Sequence, residues 1–306
     1  MTAPAANAGL VGSNSAAPAS PAATAPAGES RRPRWWPEVL VIVWLCWVYD
    51  DINNLAPLRR QAAYAHARSI LHLEQLTHLD PEATLNRWLA GHHTLALWVS
   101  TYYDNAHFVV TLGLVGLLWW RYPALYRPLR TNLVLINVVG LAVFWSYPTA
   151  PPRLLDPGRY LDIVASTHAF GSWHSGTLAT AANQLAAMPS LHIAWAAWSS
   201  LAAWRILGGF RHRWTLVVWL YPVVTTVAVL ATGNHFLLDA VGGLGVMVVC
   251  TLVADRWQGW WTARLARRAL DRQSGSGGAR VGAAAMAGPA NPARESPADP
   301  AAGGYS

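Results

Sequence analysis

Six apolar runs divide this chain, and polar connections of very unequal length separate them. The first, Trp36 to Tyr49, is about 14 residues. It reaches the roughly 20 needed to cross a bilayer only by continuing through Asp50-Asp51-Ile52-Asn53-Asn54-Leu55. The others run from about Leu95 to Trp120, Thr131 to Tyr147, Pro189 to Leu207, Trp214 to Thr232, and His235 to Ala254. Between the first two, residues 57–90 are more polar. Ile70, Leu71, Leu73 and Leu76 give that stretch a partial apolar stripe, as in helices lying on a membrane surface. Asp80-Pro81-Glu82 predicts a helix start inside it. The longest polar connection is Pro148 to Ala187, and a loop of that length within a compact domain is usually functional. This pattern predicts an all-α integral membrane protein. Its expected architecture is a six-transmembrane-helix bundle with amphipathic interfacial helices and a long extracytoplasmic loop. The bundle is expected over residues 35–256. Residues 1–34, rich in Ala, Pro, Ser and Gly, predict a disordered tail, and residues 257–306 predict a basic tail that loses order after about Gln273.

Composition agrees with a lipid environment. Of 306 residues 53% are hydrophobic and only 12% charged, about half the charge of a typical soluble domain. The 18 Trp fit interfacial aromatic belts. The net charge of +7 is carried entirely by arginine, and these arginines cluster beside the ends of apolar runs, which argues for membrane topology and against nucleic acid. Arg31, Arg32 and Arg34, then Arg121, Arg127 and Arg130, then Arg205, Arg211 and Arg213, and finally the segment from Arg256, all mark one side. The long loop carries only Arg153 and Arg159. Both termini are therefore expected in the cytoplasm of a multi-pass plasma-membrane protein. Arg59, Arg60, Arg68 and Arg87 run against this rule, spread through the amphipathic stretch. Cys46 and Cys250 lie in apolar runs and suggest neither a disulfide framework nor a metal cluster.

Candidate chemistry gathers on the expected outer face. His235 and Asp239 are four residues apart, so on a helix they share one side and the carboxylate can orient the imidazole. His192 opens another apolar run, in Met188-Pro189-Ser190-Leu191-His192. Arg153 follows a third. Helix N-termini and an arginine can surround a phosphate. One histidine then attacks phosphorus and the other serves as acid and base. His235, with its carboxylate, is the expected nucleophile. Tyr102, Tyr103, Asp104, Asn105 and His107 form a polar cluster inside the second run, lining a cavity or pairing with a neighbouring helix. His168 and His174, in the long loop, have no partner at fixed spacing and read as surface or structural residues.

Pro189-Ser190-Leu191-His192, and His235 with Asp239, resemble the second and third signature motifs of the type 2 phosphatidic acid phosphatase superfamily. Pro148 to Leu154 resembles the first in divergent form. The Thr-Gly-Asn-His turn at Thr232, the Ala-Pro-Pro-Arg stretch at Ala150 and the Tyr102-Tyr103…His107 pattern are closest to its inositolphosphotransferase-like branch, which includes inositol phosphorylceramide synthases. The resemblance covers roughly residues 40–255. It implies a six-helix bundle acting through a phosphohistidine on a membrane lipid, with no metal or other cofactor. It assigns His235 as nucleophile, Asp239 as its orienting partner and His192 as acid and base. It assigns Arg153 and Ser190 to phosphate, and the helix start at Gly233-Asn234 adds those two residues as expected phosphate contacts. The acceptor is water or an alcohol such as inositol. Three positions depart from the usual motifs: the chain has no lysine, Val229 stands where an arginine is usual, and Leu191 replaces a glycine. A non-catalytic transporter or lipid-binding scaffold, with Asp104 and His107 on its pathway, is the competing expectation.

Overall fold

The computed structural model describes residues 34–167, 184–211 and 213–286, with the side chains of 53–57 and 271–286 outside the description. His168 and His174 lie outside the described residues. Among those residues the chain is all-helical, with no strand. The helices are α1 (Trp35–Leu55), α2 (Arg60–Leu76), α3 (Glu82–Ala90), α4 (His93–Arg121), α5 (Pro123–Ser146), α6 (Pro152–Leu155), α7 (Ile163–Thr167), α8 (Leu191–Ile206), α9 (Leu220–Ala231) and α10 (Leu237–Met286). A 3₁₀ segment, Arg213–Trp219, leads into α9.

Length and composition qualify three helices to cross a membrane: Pro123–Ser146, Arg213–Ala231 and Leu237–Leu270. The remaining apolar runs are less clear-cut, for physical reasons. The 16 residues of α8 extend about 24 Å, short of a 30 Å hydrocarbon core. The 29 residues of α4 are long enough but carry the Tyr102–His107 polar cluster. α10 runs on to Met286.

The centre of the bundle is α8, which packs against α4, α5, α9 and α10. Its alanines explain this position. Ala194, Ala196, Ala197 and Ala202 are wholly buried, and small side chains allow close helix approach. Trp198 fills the space they leave, enclosed among Leu129, Ile136 and Met247. Its indole N–H donates to the Leu129 carbonyl at 2.9 Å, so the buried ring leaves no donor unsatisfied. The outer faces are the reverse of a soluble protein's. Val223, Val224 and Val227 of α9, and Val241, Leu244, Val248, Val249, Leu252 and Val253 of α10, are all exposed. Apolar surface this continuous fits a membrane protein.

At one end of the bundle α2 and α3 lie over the start of the long loop. His66 donates from Nδ1 to the Pro148 carbonyl at 2.8 Å and stacks on Tyr147 with ring centroids 3.7 Å apart. The Ala150 amide donates to Ala63 at 3.2 Å. The two ends of the loop meet where the Thr149 amide donates to Leu185 and the Ala187 amide donates to Thr149. Asn86 of α3 completes the tie: Nδ2 donates to the carbonyls of Leu161 and Ala231, and Oδ1 accepts from the Leu161 amide.

Candidate functional site

The turn that carries His235 is set by how α9 ends. The Gly233 amide donates to Leu230 at 3.0 Å and the Asn234 amide donates to Val229 at 3.3 Å. This is the paired bonding of a Schellman stop, and it requires a left-handed residue, here Gly233 at φ +74. A Cβ on Gly233 would lie 3.1 Å from both Asn86 Nδ2 and the Leu161 carbonyl oxygen. His235 follows immediately, before α10 begins at Leu237, so it stands at a loop–helix junction and not within the helix.

His235 is nearly buried, and its Nδ1 lies 2.9 Å from the Ala187 carbonyl oxygen. A carbonyl can only accept, so Nδ1 carries the proton and Nε2 keeps a lone pair. Asp239 Oδ2 is 3.5 Å from the same Nδ1. Its close bond is instead with the Phe236 amide, at 2.9 Å. Asp239 is the third residue of α10, and a carboxylate there reaching back to the amide preceding the helix is half of a capping box. The expected orienting carboxylate is thus present, but the Ala187 carbonyl selects the tautomer.

His192 is the second residue of α8, and its ring centroid is 5.5 Å from that of His235. Tyr103 stacks on one face of His192 at 4.5 Å, and His107 stands edge-on at 4.3 Å. The polar cluster of α4 therefore packs around His192.

Two buried side-chain atoms near the His235 turn lack protein partners. Arg153, 5% exposed, donates from Nε to Asn234 Oδ1 at 2.9 Å and lies 3.5 Å from Asp162 Oδ2. Its backbone amide donates to the Gly233 carbonyl at 3.1 Å. Arg153 Nη1 is buried with no hydrogen-bond partner, and so is Ser190 Oγ at the start of α8. The Ser190 amide donates to the Asp239 carbonyl at 3.0 Å, joining α8 to α10. A Cβ on Gly243 would collide with the Ser190 carbonyl, so α10 can approach this closely only because position 243 is glycine. Of the three glycines that suggested close approach in the sequence, Gly243 requires it, Gly242 is in ordinary contact and Gly245 faces open space.

The structure brings together His235, Asp239, His192, Ser190, Arg153, Asn234 and Gly233. It gives the last two indirect work. The amides of Gly233 and Asn234 are bonded within the turn, and the Asn234 side chain holds Arg153. Arg159 is paired with Asp80 at 2.6 Å. Val229, where a cation is usual, is wholly buried with Tyr103, Val164 and Ile193.

Sequence reasoning missed Glu74 and Glu82. Glu82 Oε1 accepts the Leu237 amide at 2.6 Å, and Glu74 Oε1 accepts the Leu238 amide at 2.7 Å. With Asp239 on Phe236, three protein carboxylates occupy successive amides at the start of α10. The expected anion site at this helix end is already filled. Burial pushes the Glu74 carboxyl up to about 9, against the pull of the Leu238 amide, with Glu82 and Asp239 adding to the rise. Burial also raises Glu82.

A sequence profile described as the PAP2 superfamily matches residues 68–253, well over half of the chain. That stretch holds both histidines, all three carboxylates, Arg153 and Ser190. No curated protein and no solved structure matches the chain.

Proposed function

The chain belongs to the PAP2 superfamily, and from the geometry of its site we propose that it cleaves or transfers the phosphoryl group of a membrane lipid through a phosphohistidine. Membership supports a phosphatase-type enzyme. The observation that carries the mechanism is the His235–His192 pair, rings 5.5 Å apart, with the His235 Nδ1 proton committed to Ala187. His235 Nε2 attacks phosphorus while the bond to the lipid oxygen breaks. His192 gives its proton to that oxygen. Neutral His192 then takes a proton from water or an alcohol, whose oxygen forms the new bond to phosphorus as the N–P bond breaks. Arg153 Nη1 and Ser190 Oγ are the donors for the phosphoryl oxygens, buried where such bonds are strongest. Gly233 and Asn234 position Arg153.

The lipid substrate is supported by the exposed apolar faces of α9 and α10. In the proposed topology α1, α4 and α8 join the three apolar helices as a six-span bundle over 35–256. Both termini are cytoplasmic and the histidines face outward across the plasma membrane. The packing of Tyr103 and His107 around His192 supports a catalytic site over a transport pathway, while the inositolphosphotransferase-like reading is supported by the Tyr102-Tyr103…His107 sequence pattern. The test is turnover of a panel of phosphatidic acid, polyprenyl phosphate and phosphoinositide substrates, with and without inositol. Wild type should release phosphate or transfer a headgroup, and His235→Ala should do neither. Equal products from both proteins contradict the proposal.

A further inference from the structure

We propose that Glu74 and Glu82 are positioning residues for phosphoryl transfer, clamping the first turn of α10 and through it the working geometry of His235 and Asp239. The proposal rests on the phosphoryl-transfer reading above. A helix needs its first amides satisfied, and a local Ser, Thr or Asp does this at little expense. Here α10 has one such local cap, Asp239, and two distant ones. Glu82 and Glu74 stand 155 and 164 residues from the amides they accept. They are 0% and 1% exposed, and a carboxyl taken out of water must be compensated by hydrogen bonds. A residue that served only to finish the helix would not require that arrangement. What the distant carboxylates add is a tie between α2, α3 and the residues that immediately follow His235.

The cluster is built for hydrogen bonding to amides and not for a cation. Among the described residues, no group of three or more His, Cys, Asp or Glu is placed to hold a metal ion. Each glutamate uses Oε1 for its amide, and the two buried carboxyls share a hydrogen bond in which the Glu74 proton is donated to Glu82. Burial, with Glu82 and Asp239 close by, holds the Glu74 carboxyl at about 9, so Glu74 keeps its proton at neutral pH. The groups that act on Glu74 are Glu82 from α3, Asp239 from α10 and Tyr160 from the long loop; Asp80 acts on Glu82 and on Tyr160, and Arg159 acts on Tyr160. Loss of the Glu74 proton therefore adds a like charge beside two carboxylates, and the clamp should loosen on the alkaline side.

The experiment uses the full chain in detergent micelles with phosphatidic acid as the probe. Glu74→Leu and Glu82→Leu should lower kcat about 100-fold, the scale of an ångström-sized misplacement, with KM within about threefold of wild type. Glu74→Gln and Glu82→Gln, which keep an acceptor oxygen, should recover at least about tenfold of that loss. Glu38→Leu breaks the 2.8 Å pair with Arg130 in α5, outside the site, and should leave kcat unchanged. Hydrogen exchange should quicken in the peptide spanning 236–240 in the Leu variants and nowhere else. The alkaline fall in wild-type kcat should be absent in Glu74→Gln. If the Leu variants do not fold, Glu82→Asp, with its acceptor drawn back by one methylene, should show a smaller kcat loss of the same kind. Leu variants that turn over like Glu38→Leu overturn the proposal. So do Gln variants as impaired as Leu variants with unchanged exchange, which would make the carboxylates chemical participants. If wild type turns over no phosphatidic acid, the substrate reading fails on its own, and the exchange arm still decides: unchanged protection at 236–240 sinks the clamp.

Discussion

Asp239 lies 3.5 Å from His235 Nδ1, yet the proton on that nitrogen is committed to the Ala187 carbonyl at 2.9 Å. This division sets an expectation. Where a carboxylate alone fixes the tautomer of a catalytic histidine, amide replacement costs about 10⁴-fold in kcat. Asp239→Asn should cost only about tenfold, because the carbonyl keeps Nε2 available and Asn can still accept from Phe236. A loss near 10⁴ would return the tautomer to Asp239. Arg153→Ala should lower kcat about 10²- to 10³-fold, the usual toll for one donor to a developing negative charge. Arg153→Lys should not restore it, since Asn234 holds Nε while Nη1 is the donor left over. The roles of His235, His192 and Arg153 were legible because ionisable side chains at the ends of apolar runs are conspicuous. The Ala187 acceptor was not legible, since every residue has a carbonyl. Glu74 and Glu82 were hidden differently: a glutamate on an amphipathic helix reads as its wet face, and only the folding of α2 and α3 onto α10 buries them.

At the scale of elements, the contact between α8 and α10 decides where Ser190 and His192 stand. Gly243→Ala puts a methyl group into the Ser190 carbonyl, a backbone atom that cannot rotate away. It should destabilise the protein by about 1–3 kcal/mol and lower kcat, read from thermal unfolding and turnover of the same preparation. Unchanged values for both would mean that the helices are not held this closely. The glycine-rich start of α10 pointed to such a contact in the sequence, but the pattern of Gly242, Gly243 and Gly245 could not say which residue makes it. A second expectation concerns α2. The Glu74 carboxyl rises from an ordinary 4.5 to about 9 on folding. Between those values the folded protein binds a proton that the unfolded chain releases. Its contribution to stability is complete below about 4.5, fades as pH rises, and is lost above about 9. The melting temperature should therefore decline with a shallower slope in Glu74→Gln than in wild type over this window. Parallel slopes would place the proton elsewhere.

For the whole molecule, six apolar runs were readable, while length and composition alone qualify three helices as spans. Of the other three runs, α1 carries Glu38, Asp50 and Asp51 within its 21 residues. The central helix, α8, is surrounded by protein and needs neither full length nor an apolar surface, and α4 turns its polar residues toward His192. Topology is testable without substrate. An impermeant maleimide should label Ser166→Cys, in α7, on intact cells and Arg268→Cys, in the arginine-rich part of α10 past residue 256, only after permeabilisation. The opposite pattern would put the histidines in the cytoplasm. The central chemical claim has a more direct test. Wild-type protein and the His235→Ala and His192→Ala variants are mixed with ³²P-labelled lipid phosphates and quenched in alkali, which preserves phosphohistidine. Label should be found on His235 by peptide mass spectrometry, should be missing in His235→Ala, and should persist in His192→Ala wherever attack still occurs. Label on His192, or efficient wild-type turnover with no labelled histidine at any quench time, would contradict the phosphohistidine mechanism built on His235.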